Sequence, residues 1–256
     1  MEHVFRVRFV GWVALCAALS GCAASEPLTL PESSTATPST TADPSVNSAR
    51  PQANGEGSGG RARDRRDTTQ PSAVWPISRE LRERATRLGI PAEALQAYTR
   101  AAWSVPDCQI GWATLAAVGQ VESDHGRMDG DALGRDGRPS RDIIGPRLDG
   151  RGNYAAIPAT SYGTSLHGDN KWEHALGPMQ FLPETWQRWG ADGDGDGVKN
   201  PQDLDDAAMA SAAYLCASGV SLYDGSTWER AVLSYNKSDD YLRKVFDMAV
   251  HYAAFG

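Results

Sequence analysis

The sequence predicts a mainly α-helical domain, and three observations carry that expectation. Apolar residues recur three and four positions apart through most of the chain after residue 75. These runs begin at Ser or Pro and end at Gly, as helices do. No stretch of useful length alternates apolar and polar residues as a half-buried strand would. The architecture expected is one helical domain interrupted by a long, groove-lining loop and a short acidic loop.

Each element has its own signals. Ser78 caps a first helix that runs to Leu88 and stops at Gly89, and Pro91 opens a second that reaches about Ser104. Residues 109–123 form a third. Residues 126–171 are dense in Gly, Asp, Arg and Pro and lack helical period, so they are read as a functional loop holding a small hairpin or two. Helix returns at "LPETWQRWG", where Pro183 suits a first-turn position, and again at the Ala-rich "DLDDAAMASAAYLCASG", stopped by Gly219. "STWERAVLSYNKS" follows with Ser226 or Thr227 as its cap, and "DDYLRKVFDMAVHYAAF" closes the chain.

The first 75 residues read differently. Residues 1–21 place Arg6 and Arg8 ahead of an apolar run too short to span a bilayer, the proportions of a signal peptide. The run ends in Leu19-Ser20-Gly21-Cys22, which resembles a bacterial lipobox and implies cleavage before Cys22 and acylation of its thiol. Residues 22–75 are rich in Ser, Thr, Pro, Ala and Gly and read as a disordered tether with a reach of roughly 40 Å. Residues 76–256 are the folded domain. The expectation is an exported protein, lipid-anchored to the cell membrane through Cys22, since several acyl chains hold firmly where one does not.

Charge excludes one class of function. The chain has 32 acidic and 25 basic residues, a net charge of −7 and no basic patch, so no nucleic-acid partner is expected. Cys16 leaves with the signal and Cys22 is acylated; the remaining Cys108 and Cys216 are read as a disulfide in an oxidising compartment, the alternative being two unrelated buried thiols.

Four short motifs carry chemistry. In "LAAVGQVESDHGR", Glu122 shares a helical face with Leu115, Val118 and Gly119. A carboxylate on an apolar face is costly unless it is paired, neutralised or used. In "DGDGDGVKNPQD", Asp192, Asp194 and Asp196 take positions 1, 3 and 5 of an EF-hand loop, with Gly197 at the turn. Val198 would offer its carbonyl, Asn200 sits at position 9, and Asp203 takes position 12. Three carboxylates in six residues repel unless a hard cation sits between them, so a structural Ca²⁺ is expected. In "ALGPMQFLPETW", Gly177 and Pro178 force a bend that presents Met179 and Gln180. In "AVLSYNKS", Tyr235 and Asn236 end a helix.

Each piece alone is commonplace, but the ordered set is specific. "VESDHG", "ALGPMQFLPETW", "DGDGDG" and "SYN" together resemble the soluble-lytic-transglycosylase-like families, nearest to the membrane-bound type B group of the lysozyme-like superfamily. The resemblance spans about residues 80–256 and includes "GPRLDG" in the long loop. It implies an α+β lysozyme-like fold and cleavage of the β-1,4 bond between N-acetylmuramic acid and N-acetylglucosamine in peptidoglycan. Carried over by position, it implies that Glu122 is the catalytic acid and base. Ser123, Met179, Gln180, Tyr235 and Asn236 become substrate-binding residues, and residues 192–203 a calcium loop. The chain departs from the pattern at "NKWEHALG", where type B enzymes often carry a serine before the turn.

The chemistry needs an acid protonated near neutral pH at the leaving oxygen. Most glycosidases need a second carboxylate as well; Asp124, Asp129, Asp131, Asp169 and Glu173 are loop candidates without a matching motif. Their lack of one suits a lytic transglycosylase, in which a single glutamate serves twice and the sugar's 6-hydroxyl is the nucleophile. No cofactor is expected for catalysis, and the enzyme is expected to act as a monomer on glycan strands. The alternatives are a lysozyme-type hydrolase and a non-catalytic wall-binding lipoprotein on the same fold. His125, His167 and His174 lack zinc-site spacing. Trp172, bordering the loop, is the sugar-stacking candidate.

Overall fold

The computed structural model describes residues 74–152 and 154–255; the signal segment, Cys22 and the tether up to residue 73 lie outside them, while Trp75, read as the tether's end, lies under the Arg100 guanidinium at 4.3 Å. Eight α-helices appear among these residues: α1 (Arg79–Leu88), α2 (Ala92–Trp103), α3 (Trp112–Ser123), α4 (Ser161–His167), α5 (Pro183–Trp189), α6 (Leu204–Leu215), α7 (Gly225–Tyr235) and α8 (Asp239–Phe255). The mainly helical expectation holds. Among the described residues, β-structure is confined to isolated bridges.

Local chemistry sets the ends. The Ser78 hydroxyl accepts from the Leu81 N–H at 3.1 Å, and Gly89 ends α1 with φ at 69°. Helix α3 begins later than the sequence suggested. A 3₁₀ turn at Pro106–Cys108 and a left-handed Gln109 intervene before it starts at Trp112.

Helix α3 is buried around its whole circumference from Ala113 to Gly119, where the sequence suggested one apolar face. It is the helix on which the domain is built, with α2, α6 and α8 packed around it. Small residues make this possible. The row Ala113, Ala116, Ala117 and Gly119 lets its neighbours approach, and a Cβ on Gly119 would fall on the Tyr98 hydroxyl. The Cys108–Cys216 disulfide, with Cα atoms 5.7 Å apart, ties the turn before α3 to the end of α6.

The long loop is better ordered than its composition suggested. Seven residues of it form α4, capped by the Thr160 hydroxyl on the Gly163 N–H. The "GPRLDG" segment pairs with the approach to Gly177: Gly145 N–H donates to the Ala175 carbonyl at 2.8 Å and Leu148 N–H to the Glu173 carbonyl at 3.0 Å. Ile157 N–H returns to the Leu148 carbonyl, so three short extended pieces lie side by side. Leu148, Ala175 and Leu182 make a small second core beneath them. These are the small hairpins expected there, and they buttress the Gly177 turn.

Candidate active site

Glu122 sits at the end of α3, only 4% exposed. The chain must leave the helix sharply here. Asp124 and His125 both adopt left-handed backbone, at φ 52° and 58°, followed by Gly126 at 82°. Two consecutive non-glycine residues in that region cost on the order of 1–3 kcal/mol each, a strain that proteins concentrate at functional sites. The His125 ring secures it. Buried completely, it bridges the Tyr98 hydroxyl at 3.1 Å and the Tyr252 hydroxyl at 3.0 Å. Burial first, and then the nearby Arg127 charge, lower its pKa to about 3, so the ring is neutral.

One oxygen of Glu122 is held and the other is not. The Tyr241 hydroxyl donates to Oε1 at 2.8 Å, while Oε2 is buried with no hydrogen-bond partner. Burial raises the Glu122 pKa from 4.5 to about 8, with the Tyr241 hydrogen bond opposing the rise. The carboxyl is therefore protonated at neutral pH, with a proton available to an atom placed beside Oε2. The sequence reading missed Tyr241. Its position with Val245 and Tyr252 on the buried face of α8 looks like core. The one signal was that a buried tyrosine hydroxyl requires a partner.

The Gly177–Gln180 turn is the wall beside Glu122. Gly177 has φ at 73°, and a Cβ there would strike the Pro201 carbonyl, so only glycine fits. Leu176 and Phe181 exchange both backbone hydrogen bonds at 2.9 Å and close the turn. The Ser123 hydroxyl donates to the Pro178 carbonyl at 2.6 Å and accepts from Gly126 N–H at 2.8 Å, locking the turn to the end of α3. Met179 is fully buried against α3, and its carbonyl accepts from the Tyr235 hydroxyl at 2.7 Å. Gln180, at φ 50°, donates Nε2 to the Gly177 carbonyl at 2.9 Å. The Tyr235 ring lies parallel to that of Tyr241 at 6.5 Å, and Asn236, also buried, ends α7. The structure brings Ser123, Met179, Gln180 and Tyr235 together at the end of α3, with Asn236 following Tyr235 at the end of α7. The polar atoms of Ser123 and the Tyr235 hydroxyl are engaged in building the wall.

The candidate second carboxylates are largely committed elsewhere. Glu173 accepts from the Thr160 backbone and hydroxyl and contacts His167 at 2.8 Å. Asp169 pairs with Arg147, Asp131 with Arg141 and Asp124 with Arg127. His174 Nδ1 lies 2.7 Å from the Gly145 carbonyl, so it and His167 are loop fasteners. Trp172 is half-buried and bridges to Pro158.

The acidic loop differs from its twelve-position reading. Asp192 and Asp194 come together with Asp206, their ligand oxygens all within 4.8 Å of one another. Asp203 is not of this group. It caps α6 through the Asp205 N–H at 3.0 Å and pairs with Arg138 at 3.1 Å, and Asp196 also pairs with Arg138, at 3.3 Å. Val198 exposes its side chain and donates its N–H to Asp196 at 2.7 Å. The physical reason is that the loop's end is the N-terminus of α6. Its first carboxylate is taken as the cap, and the one a turn later faces back into the loop. Burial, with Asp203 and Asp194 adding to it, raises Asp206 to about 8 against the pull of the Asn200 and Gly193 N–H groups. Ca²⁺ holds oxygens at about 2.3–2.6 Å, so opposite ligands stand about 5 Å apart, and the Asp192, Asp194 and Asp206 cluster has that size.

Residues 167–244 match the family described as "Transglycosylase SLT domain". That segment contains the Gly177 turn, the acidic loop, Tyr235 and Tyr241, and the match bears out the resemblance drawn from the ordered motifs. It supports a peptidoglycan lytic transglycosylase as the enzyme class. No curated protein sequence matches significantly. Among solved structures, the chain is similar to the Escherichia coli lytic transglycosylase Slt35 in complex with bulgecin A, at TM-score 0.40 and 14% identity over 68% of this chain and 78% of that one. The calcium complex of Slt35 gives 0.39 and 14% over the same shares. SltB3 from Pseudomonas aeruginosa in complex with NAG-anhNAM-pentapeptide gives 0.38 and 18% over 73% and 69%. Scores of this size leave the superposition partial.

Proposed function

We propose that the protein is a lytic transglycosylase that cleaves the β-1,4 bond between N-acetylmuramic acid and N-acetylglucosamine and leaves 1,6-anhydro-N-acetylmuramic acid ends. The observation that carries the reading is Glu122: a buried carboxyl protonated at neutral pH, fixed through Oε1 and unpartnered at Oε2. As the C1–O4 bond breaks, the Oε2 proton passes to the departing O4. The carboxylate then takes the proton of the muramyl 6-hydroxyl as O6 bonds to C1. Glu122 ends protonated, and no water is consumed. Tyr241 stabilises the carboxylate between these steps, because its hydrogen bond favours the ionised form.

Asp192, Asp194 and Asp206 would hold a structural Ca²⁺, whose contribution is to fix the loop between α5 and α6. The anchor at Cys22 and its tether would place the enzyme, as a monomer, at the membrane facing the wall. Replacing Glu122 by Gln tests the assignment on purified peptidoglycan. General acid–base catalysis contributes about 10²–10⁴-fold, so cleavage should fall by at least about a hundredfold while the fold persists. A loss below tenfold with intact folding overturns the role of Glu122.

A further inference from the structure

A second concavity stands behind the wall of the site, between α5 and the α6–α7 pair. It encloses about 600 Å³, and its lining includes Arg188, Trp189, Tyr214, Val220, Arg230 and Ser234. Its electrostatics run against the chain as a whole, which is net negative at −7. Two guanidinium groups line it and no carboxylate does. Among the described residues neither arginine forms an ion pair. Arg188 lies over the Trp189 ring at 5.3 Å, and Arg230 reaches the Ser226 hydroxyl at 3.4 Å. Asp224, whose charge interacts with that of Arg230, is occupied in capping α7 through the Ser226 and Thr227 N–H groups. Two guanidinium groups outside any ion pair, set beside the apolar side chains of Trp189, Leu215 and Val220, suit a ligand with carboxylates on a small apolar frame.

We infer that this concavity is an accessory site for a short acidic peptide, and specifically for the carboxylate-bearing peptide branches of peptidoglycan. The choice of peptide source rests on the proposed activity; the charge and shape argument does not. The position suits an accessory role. The Tyr214 ring packs edge-on against Tyr235 at 5.6 Å, and Tyr235 lies parallel to Tyr241, which holds Glu122. The glycan would meet the site on one side of the Tyr235 layer and its peptide the other, so Arg188 and Arg230 would select peptide-substituted strands without touching the reacting atoms.

The test uses the intact chain and two probes: a free wall-derived peptide with its carboxylates intact, and the same peptide with them amidated. Binding is read by calorimetry or by NMR shifts of residues lining the concavity. The free acid should bind, weaken as ionic strength rises, and lose about tenfold or more in affinity on amidation. Arg188→Gln with Arg230→Gln should produce a similar loss. The same double variant should cleave peptide-free glycan strands at the wild-type rate but lose its preference for peptide-bearing ones. Unchanged peptide affinity in the double variant, or equal binding of the amidated peptide, overturns the site. If glycan is not cleaved at all while the peptide still binds through both arginines, the activity reading fails and the accessory site stands.

Discussion

The Glu122→Gln variant should be more stable than the wild type at alkaline pH, and the size of the effect follows from burial. The folded protein holds the Glu122 proton up to about pH 8, whereas the ordinary value is 4.5. Between those values the folded state carries a proton that the unfolded chain has lost, so stability falls as pH rises through the window. The gap converts, at about 1.4 kcal/mol per pH unit, into roughly 5 kcal/mol once Glu122 is ionised in both states. Glutamine never ionises and can still accept the Tyr241 hydrogen bond, so it escapes the whole cost. The advantage of the variant should be near zero at about pH 4, about 3 kcal/mol at neutrality and largest above pH 8. Urea unfolding of both proteins across that range measures it. The difference between the two curves isolates Glu122 from the buried aspartates of the acidic loop, which titrate in both. A difference that does not change with pH would refute the argument, because it would mean that Glu122 is not desolvated. A wild type that gains on the variant as pH rises would reverse its sign.

Three other outcomes follow from the geometry. Tyr241→Phe removes the one hydrogen bond that favours ionised Glu122, so the carboxyl should titrate higher still and cleavage should fall about tenfold or more; an unchanged rate and pH profile would place Tyr241 in the core alone. Added Ca²⁺ should raise the thermal midpoint, and Asp206→Ala should abolish that rise; if Asp203→Ala abolishes it and Asp206→Ala leaves it intact, the twelve-position reading was right after all. Reducing the Cys108–Cys216 bond, which closes a separation of 108 residues, should cost roughly 4–5 kcal/mol in denaturant unfolding, and an unaffected midpoint would show that the crosslink constrains little.

Much of this was legible in the sequence, for reasons particular residues show. Ser78, Gly89 and Pro183 mark helix ends because their chemistry is local, and the structure uses all three. Glu122 stood out because a carboxylate among Leu115, Val118 and Gly119 conflicts with its surroundings. Tyr241 did not, because an aromatic on an apolar helix face conflicts with nothing until its hydroxyl is placed in space. Asp206 was hidden by counting. A linear template stops at the twelfth residue, whereas the third carboxylate is delivered by the first turn of α6. Helix α4 was missed because seven residues between Pro158 and Gly168 are too short to show a period, and its stability comes from the Thr160 cap and from Glu173. What could be read was set by neighbours in sequence. What could not was set by contacts beyond the reach of a local pattern, from 13 residues between Thr160 and Glu173 to 119 between Glu122 and Tyr241.

The most direct test of the account is the chemical identity of the newly formed end. Glu122 has no evident second carboxylate to position water, while the muramyl 6-hydroxyl is tethered to the reacting carbon and can enjoy an effective molarity on the order of 10⁵ M or more. Purified glycan strands should be digested in ¹⁸O-labelled water and the fragments weighed by mass spectrometry. The account predicts fragments ending in 1,6-anhydro-N-acetylmuramic acid, one water lighter than hydrolytic products, with no reducing end and no label. Fragments with reducing ends that incorporate ¹⁸O would contradict it and make the protein a hydrolase.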